Sequence, residues 1–183
     1  KNVLETIEVE PELLERLIDP SLHELVKQRG NVNFTVAHEI AHSLGPKFSK
    51  KKDEKGNLLS VREALGEWNG IIEELKADIA GIFCMPLLMQ EKIYSSEEAN
   101  EVLVRGALTQ VLPLNMPDLK RDMHVVGRLM TLNYFVNEGT TSINKGKFFL
   151  DLERVMDSIR KLLTEVLEIQ SIGDSNQAEE FIK

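Results

Sequence analysis

The sequence predicts an all-α or mainly α fold. Three observations carry that expectation. Apolar residues recur at three- and four-residue spacing through most of the chain, helix caps and stops punctuate those segments, and no stretch alternates apolar and polar residues for long enough to build a sheet.

Taken in order, Pro11 to Val26 forms a first amphipathic segment through Leu13, Leu14, Leu17, Ile18 and Leu22, broken near Pro20. His23 falls on its polar side and reads as a surface residue. Gly30-Asn31 reads as a turn. The next helix carries Thr35-Val36-Ala37, Ile40, Ala41 and Leu44, and Gly45-Pro46 stops it, with the glycine at the C-cap. Lys47 to Gly56 has no periodicity and reads as a basic, mobile, solvated loop, the alternative being a lid. Ser60 and Glu63 form a capping box that opens a long helix to about Met89, in which Gly66 and Gly70 permit close helix contact. Ser95 and Glu98 open another helix to about Val111. Pro113 and Pro117 bracket a loop. Asp118 to Val136 is a helix, with Asp118 at its positive dipole end. Ser142 to Leu150 is short and extended, and Asp151 to Ile169 is an amphipathic helix through Leu152, Val155, Met156, Ile159, Leu162, Leu163 and Val166. Trp68 reads as a packing anchor. Cys84, among Ile82, Phe83 and Met85, reads as a buried structural thiol.

The chemistry resides in His38-Glu39-Ile40-Ala41-His42. Histidines four residues apart lie one above the other on a helix face, where two neutral imidazoles can hold one Zn²⁺ with Glu39 beside the metal as general base. The alternative is a chance occurrence of the pattern on a core helix. A third ligand has candidates in Glu73-Glu74-Leu75-Lys76-Ala77-Asp78, where Ile71, Ile72, Leu75, Ile79, Ile82 and Phe83 mark a helix. Glu74 and Asp78 share a face and Glu73 lies about a hundred degrees round it. One carboxylate can ligate while its neighbours hydrogen-bond the ligating histidines. Three protein ligands and an open position make a catalytic rather than a structural zinc site. His124, between Met123 and Val125-Val126, reads from spacing alone either as a core histidine or as a site residue.

These residues resemble the dipeptidyl peptidase III family, in the form of its bacterial and Nudix-associated relatives. The two motifs above carry the likeness, with Leu44-Gly45-Pro46, Met123-His124-Val125-Val126-Gly127-Arg128 and the tail from Ile172-Gly173-Asp174 to Phe181. The first motif is one residue shorter between its histidines than the family's usual form, and Asp78 stands where glutamate is common. The resemblance implies His38, His42 and Glu74 as ligands of one Zn²⁺, Glu39 as catalytic base, His124 as catalytic stabiliser of the oxyanion and Arg128 as substrate-binding. Glu73 and Asp78 would hold the ligating histidines from behind. Glu39 would take a proton from the attacking water and return it to the leaving amine. The family's catalytic tyrosine lies upstream of the first motif, whereas the tyrosines here, Tyr94 and Tyr134, both follow it.

The 183 residues accordingly read as a single helical zinc-binding lobe, residues 1–183, a piece of a larger cytoplasmic peptidase, with a peptide substrate and the remainder of its own polypeptide as partners. Two other readings stay open at this point: a metal-binding but catalytically incomplete lobe of a multidomain Nudix-associated protein, and a helical interaction module without metal. A net charge of −8 argues against a nucleic-acid partner, a single cysteine excludes an internal disulfide, and no apolar run reaches membrane-spanning length. No apolar leader pattern opens the chain.

Overall fold

The structure, a computed structural model, describes residues 11–109 and 123–183. Val111, the Pro113–Pro117 loop and the Asp118 helix start lie outside the described residues. The elements are helices α1 (Pro11–Leu17), α2 (Gln28–Ala41), α3 (Val61–Leu65), α4 (Asn69–Phe83), α5 (Met85–Gln90), α6 (Ser96–Thr109), α7 (Met123–Asn137), α8 (Val155–Ile172) and α9 (Ser175–Ile182), with strands β1 (Phe48–Lys52), β2 (Leu58–Ser60), β3 (Thr141–Asn144) and β4 (Lys147–Leu150). The fold is mainly α, as the periodicity predicts.

Helix α4 is the centre. Every residue from Leu75 to Ile82 is buried, which a helix achieves only when neighbours cover it on all sides. Those neighbours are α2, α7 and α8, and α6 packs mainly against α2 while also touching α4. Leu65, Ile72, Leu75, Ile79, Val102, Leu108, Ile159 and Val166 fill the core.

Several local expectations are corrected. Gly30 and Asn31 lie inside α2, not in a turn. A Cβ on Gly30 would stand 2.8 Å from the Glu101 carbonyl oxygen, so the glycine lets α6 approach, and Asn31 accepts a 2.9 Å hydrogen bond from the buried Arg105 Nε. Close packing here outweighs glycine's helix penalty of about 1 kcal/mol. Helix α2 ends at Ala41, ahead of Gly45, and His42 occupies its C-cap. The Ser60–Glu63 capping box is present, but it opens the short α3. Gly66 at φ +59° ends that helix with open space around its Cβ position, so it turns the chain rather than admitting a neighbour. A 3₁₀ turn over Gly66–Trp68 then leads into α4, and Pro86 in the first turn of α5 marks the next break. The Ser95–Glu98 pair caps α6 as the sequence indicates.

The lysine-rich segment after α2 is a β-hairpin, not a loop. Asp53 Oδ1 accepts from the Lys55 and Asn57 amides and closes its turn. Of its first strand only Ser49 is buried, so no apolar alternation announces it. The second hairpin, β3–β4, turns at Lys145 and Gly146, both at positive φ, and Ile18 bridges it at Phe148. His23 is half-buried, its Nε2 3.0 Å from the Ile18 carbonyl, rather than a surface side chain. Trp68 packs against the core as expected. Cys84 is half-buried, and burial raises its thiol pKa.

Candidate metal centre

The site forms where α2 and α4 cross. Gly81 sets their separation: a Cβ there would meet the Ala37 carbonyl carbon at 3.0 Å and the His38 amide nitrogen at 3.1 Å. Only a glycine lets the two backbones lie this close. The four-residue spacing brings His38 and His42 to one edge of α2, their rings 4.7 Å apart and almost perpendicular.

Each ring is held from behind by a carboxylate of α4. His38 Nδ1 donates to Asp78 Oδ1 at 2.7 Å, and His42 Nδ1 donates to Glu73 Oε1 at 3.0 Å. Carboxylates only accept, so these contacts fix the tautomer: in the neutral rings both Nε2 atoms carry bare lone pairs. Those two nitrogens face each other at 3.1 Å. Glu74 Oε2 completes the group, 3.3 Å from His38 Nε2 and 3.8 Å from His42 Nε2. That oxygen is buried and has no hydrogen-bond partner among the described residues. Burying a carboxylate oxygen and two opposed lone pairs is costly unless a cation compensates them.

The separations suit a metal. Bonds of about 2.0–2.1 Å at tetrahedral angles put zinc ligand atoms roughly 3.3–3.4 Å apart. His124, on α7, also reaches the site: its Nδ1 is 3.1 Å from Glu74 Oε2, and His38, Glu74 and His124 offer donor atoms all within 4.8 Å of one another. The His124 side chain is half exposed. Arg128, one turn further along α7, places Nε 3.9 Å from Asp78 Oδ2. Glu39 lies exposed between the two histidines. Burial by itself would lower the His38 pKa, but the hydrogen bond and charge of Asp78, reinforced by Glu74 and Glu39, outweigh it and raise it. Burial likewise pushes Glu73 up, and hydrogen bonds from Lys76, His42 and Gln170 more than reverse this.

No family model matches this chain. A structure of dipeptidyl peptidase III from Caldithrix abyssi superposes with a TM-score of 0.79 at 25% identity, covering 92% of this chain and 32% of that one. The chain is a dipeptidyl peptidase III-like helical lobe. The fold agrees equally with the dipeptidyl-peptidase III of Corallococcus sp. strain EGB, at TM-score 0.79, 22% identity and coverage of 92% of this chain and 31% of that one. In sequence the lobe is 26% identical over 159 residues to Nudix hydrolase 3 of Arabidopsis thaliana, a match spanning 83% of the lobe and 20% of that protein. The lobe thus spans under a third of the structures it resembles and a fifth of this relative.

The lobe brings together His38, His42, Glu73, Glu74, Asp78, His124 and Arg128. Sequence reasoning missed two supporting residues, Lys76 and Gln170. Lys76 Nζ contacts Glu73 Oε1 at 2.7 Å, and Gln170 Nε2 donates to Glu73 Oε2 at 2.9 Å. Each is a polar residue on an apolar stripe, Lys76 four residues after Ile72 and Gln170 four after Val166. That is the signal that was there to be read. Tyr134 donates to Glu165 at 3.1 Å, and burial with the Glu165 charge pushes its phenol up to about 12. Among the described residues no helix is long and apolar enough to cross a membrane.

Proposed function

We propose that this lobe is the metal-binding part of a zinc-dependent peptide hydrolase and works within a longer polypeptide. The observation that carries the reading is the convergence of His38 Nε2, His42 Nε2 and the unpartnered Glu74 Oε2 on one point, with both imidazoles oriented by carboxylates behind them. A proton shared between the two rings would satisfy the histidines and leave the Glu74 oxygen to His124 Nδ1, 3.1 Å away; one divalent cation compensates both imidazole lone pairs and the carboxylate together. When bound there, zinc supplies a Lewis acid and lowers the pKa of water. His38, His42 and Glu74 would hold it. Glu39, exposed on the helix turn between the histidines, takes the proton of the attacking water and passes it to the leaving amine. His124 donates a hydrogen bond to the oxygen that gains negative charge, and Arg128 orients the substrate.

A second reading is supported by the short coverage of the relatives and by the Nudix hydrolase likeness: a lobe that binds metal but needs residues from elsewhere in its polypeptide, including a tyrosine, before it can cleave anything. Peptide hydrolysis and zinc content, measured on this chain and on the longest polypeptide expressed from its gene, separate the two. Glu39→Gln should keep zinc and lower hydrolysis by the longer polypeptide roughly a hundredfold or more, at the lower end of what a positioned base contributes. Zinc retention with unchanged hydrolysis would remove Glu39 from the mechanism, and zinc without hydrolysis in the longer wild-type polypeptide would favour the second reading.

A further inference from the structure

Glu73 differs from the other carboxylate that supports a ligand. Asp78 sits on the buried face of α4, its side chain 3% exposed, and packing fixes it. The Glu73 side chain is 27% exposed, has one more rotatable bond, and lies where it could turn to solvent. Two side chains prevent that. Lys76, itself 2% exposed, directs its ammonium to Glu73 Oε1 at 2.7 Å and to the Leu44 carbonyl at 2.7 Å, with the His42 carbonyl at 3.4 Å. Those carbonyls belong to the residues that follow α2 after it stops at Ala41, where backbone acceptors lack helical partners. Lys76 therefore grips Glu73 and, by its backbone, the residue that Glu73 orients. Gln170 reaches in from α8, also 2% exposed, and donates to Glu73 Oε2 at 2.9 Å. Its amide abuts Gly45, where a Cβ would come 3.3 Å from Gln170 Oε1 and 3.4 Å from Lys76 Cδ.

We infer that Lys76 and Gln170 are a positioning pair for the metal centre: together they clamp Glu73, and Glu73 presents the His42 imidazole with Nε2 toward the site. The inference rests on the metal-binding reading above and adds a link to it, tying α8 at the far end of the chain to one ligand. It predicts an interaction that runs through a single carboxylate. Breaking either arm frees Glu73 and costs affinity; once Glu73 is gone, neither arm matters for metal.

The test uses Co²⁺ as a spectroscopic stand-in for zinc, with affinity measured by competition against a chelator and geometry by the visible ligand-field bands. The variants are Lys76→Met, Lys76→Arg, Gln170→Leu and Glu73→Ala, and each substitution at 76 and 170 is combined with Glu73→Ala. Lys76→Met and Gln170→Leu should each weaken Co²⁺ binding by roughly tenfold, the low end of the effect of groups behind a ligand, and alter the ligand-field bands. Lys76→Arg, which keeps a donor, should recover most of that loss. In the Glu73→Ala background neither substitution should change affinity further. If Gln170→Leu lowers affinity by the same factor with and without Glu73, its effect is general packing and the clamp is overturned, as it is if the single variants bind like wild type. Should Lys76→Met fail to fold, Gln170→Leu alone and in the Glu73→Ala background still decides the matter. Wild-type protein that takes up no Co²⁺ would instead overturn the metal reading itself.

Discussion

The two imidazoles of the site are held in contrasting ways. His38 lies inside α2, its side chain 10% exposed, over the close backbone contact at Gly81, and a buried aspartate holds its Nδ1. His42 lies just past the end of the same helix, 31% exposed, and its carboxylate partner is itself held by a lysine and a glutamine. A side chain in a packed interior inherits its orientation from its neighbours. One at the rim must be oriented by hydrogen bonds, each anchored by another. The difference teaches that a short motif on one helix can demand unequal amounts of surrounding structure for its two halves.

That contrast can be broken first at the ligands. His38→Ala should abolish stoichiometric zinc, because it removes the best-anchored ligand and leaves Asp78 buried without its partner. Zinc content by plasma emission checks this, and unchanged zinc would remove His38 from the ligand set. A step smaller, Asp78→Asn and Glu73→Gln should each weaken zinc by about 10–100-fold, with Asp78→Asn the more costly because its side chain is the more deeply buried. Competition titrations rank the two, and a larger loss for Glu73→Gln would invert the comparison. Last is the backbone effect beneath His38, which acts on stability and not directly on a ligand. Gly81→Ala adds a methyl against Ala37 and His38 and should destabilise the fold by about 1–3 kcal/mol, despite alanine's better helix propensity. Denaturant unfolding measures it, and a stabilised Gly81→Ala protein would show that α2 and α4 can separate freely.

The same division governed what the sequence disclosed. Much of the site was legible: Ile72, Leu75 and Ile79 mark α4, four-residue spacing puts His38 and His42 on one helix edge, and Glu74 and Asp78 share a face with Glu73 about a hundred degrees round it. Glycine signals were uneven: Gly70 does admit Met123 of α7 closely, as expected, but Gly30 and Gly66 look alike in sequence while one admits α6 and the other turns the chain. The Phe48–Ser60 hairpin was hidden because its strand presents lysines to water and buries a serine. Gln170 stood out as a polar residue on an apolar stripe, but its partner did not: it joins Glu73 across 97 residues, and local periodicity carries no information about which helix will lie opposite. His124 was placed by likeness to a family rather than by its own pattern, and α7 brings its ring to 6.1 Å from that of His38.

The central claim is that His38, His42 and Glu74 form one metal-binding triangle. The measurement that tests it most directly is anomalous diffraction at the zinc edge from crystals of this chain grown with zinc. The account predicts one strong peak per chain, at bonding distance from His38 Nε2, His42 Nε2 and Glu74 Oε2, with Asp78 and Glu73 still on the Nδ1 atoms. A peak bound by His38, Glu74 and His124 with His42 turned away, or no peak between α2 and α4 at all, would contradict it.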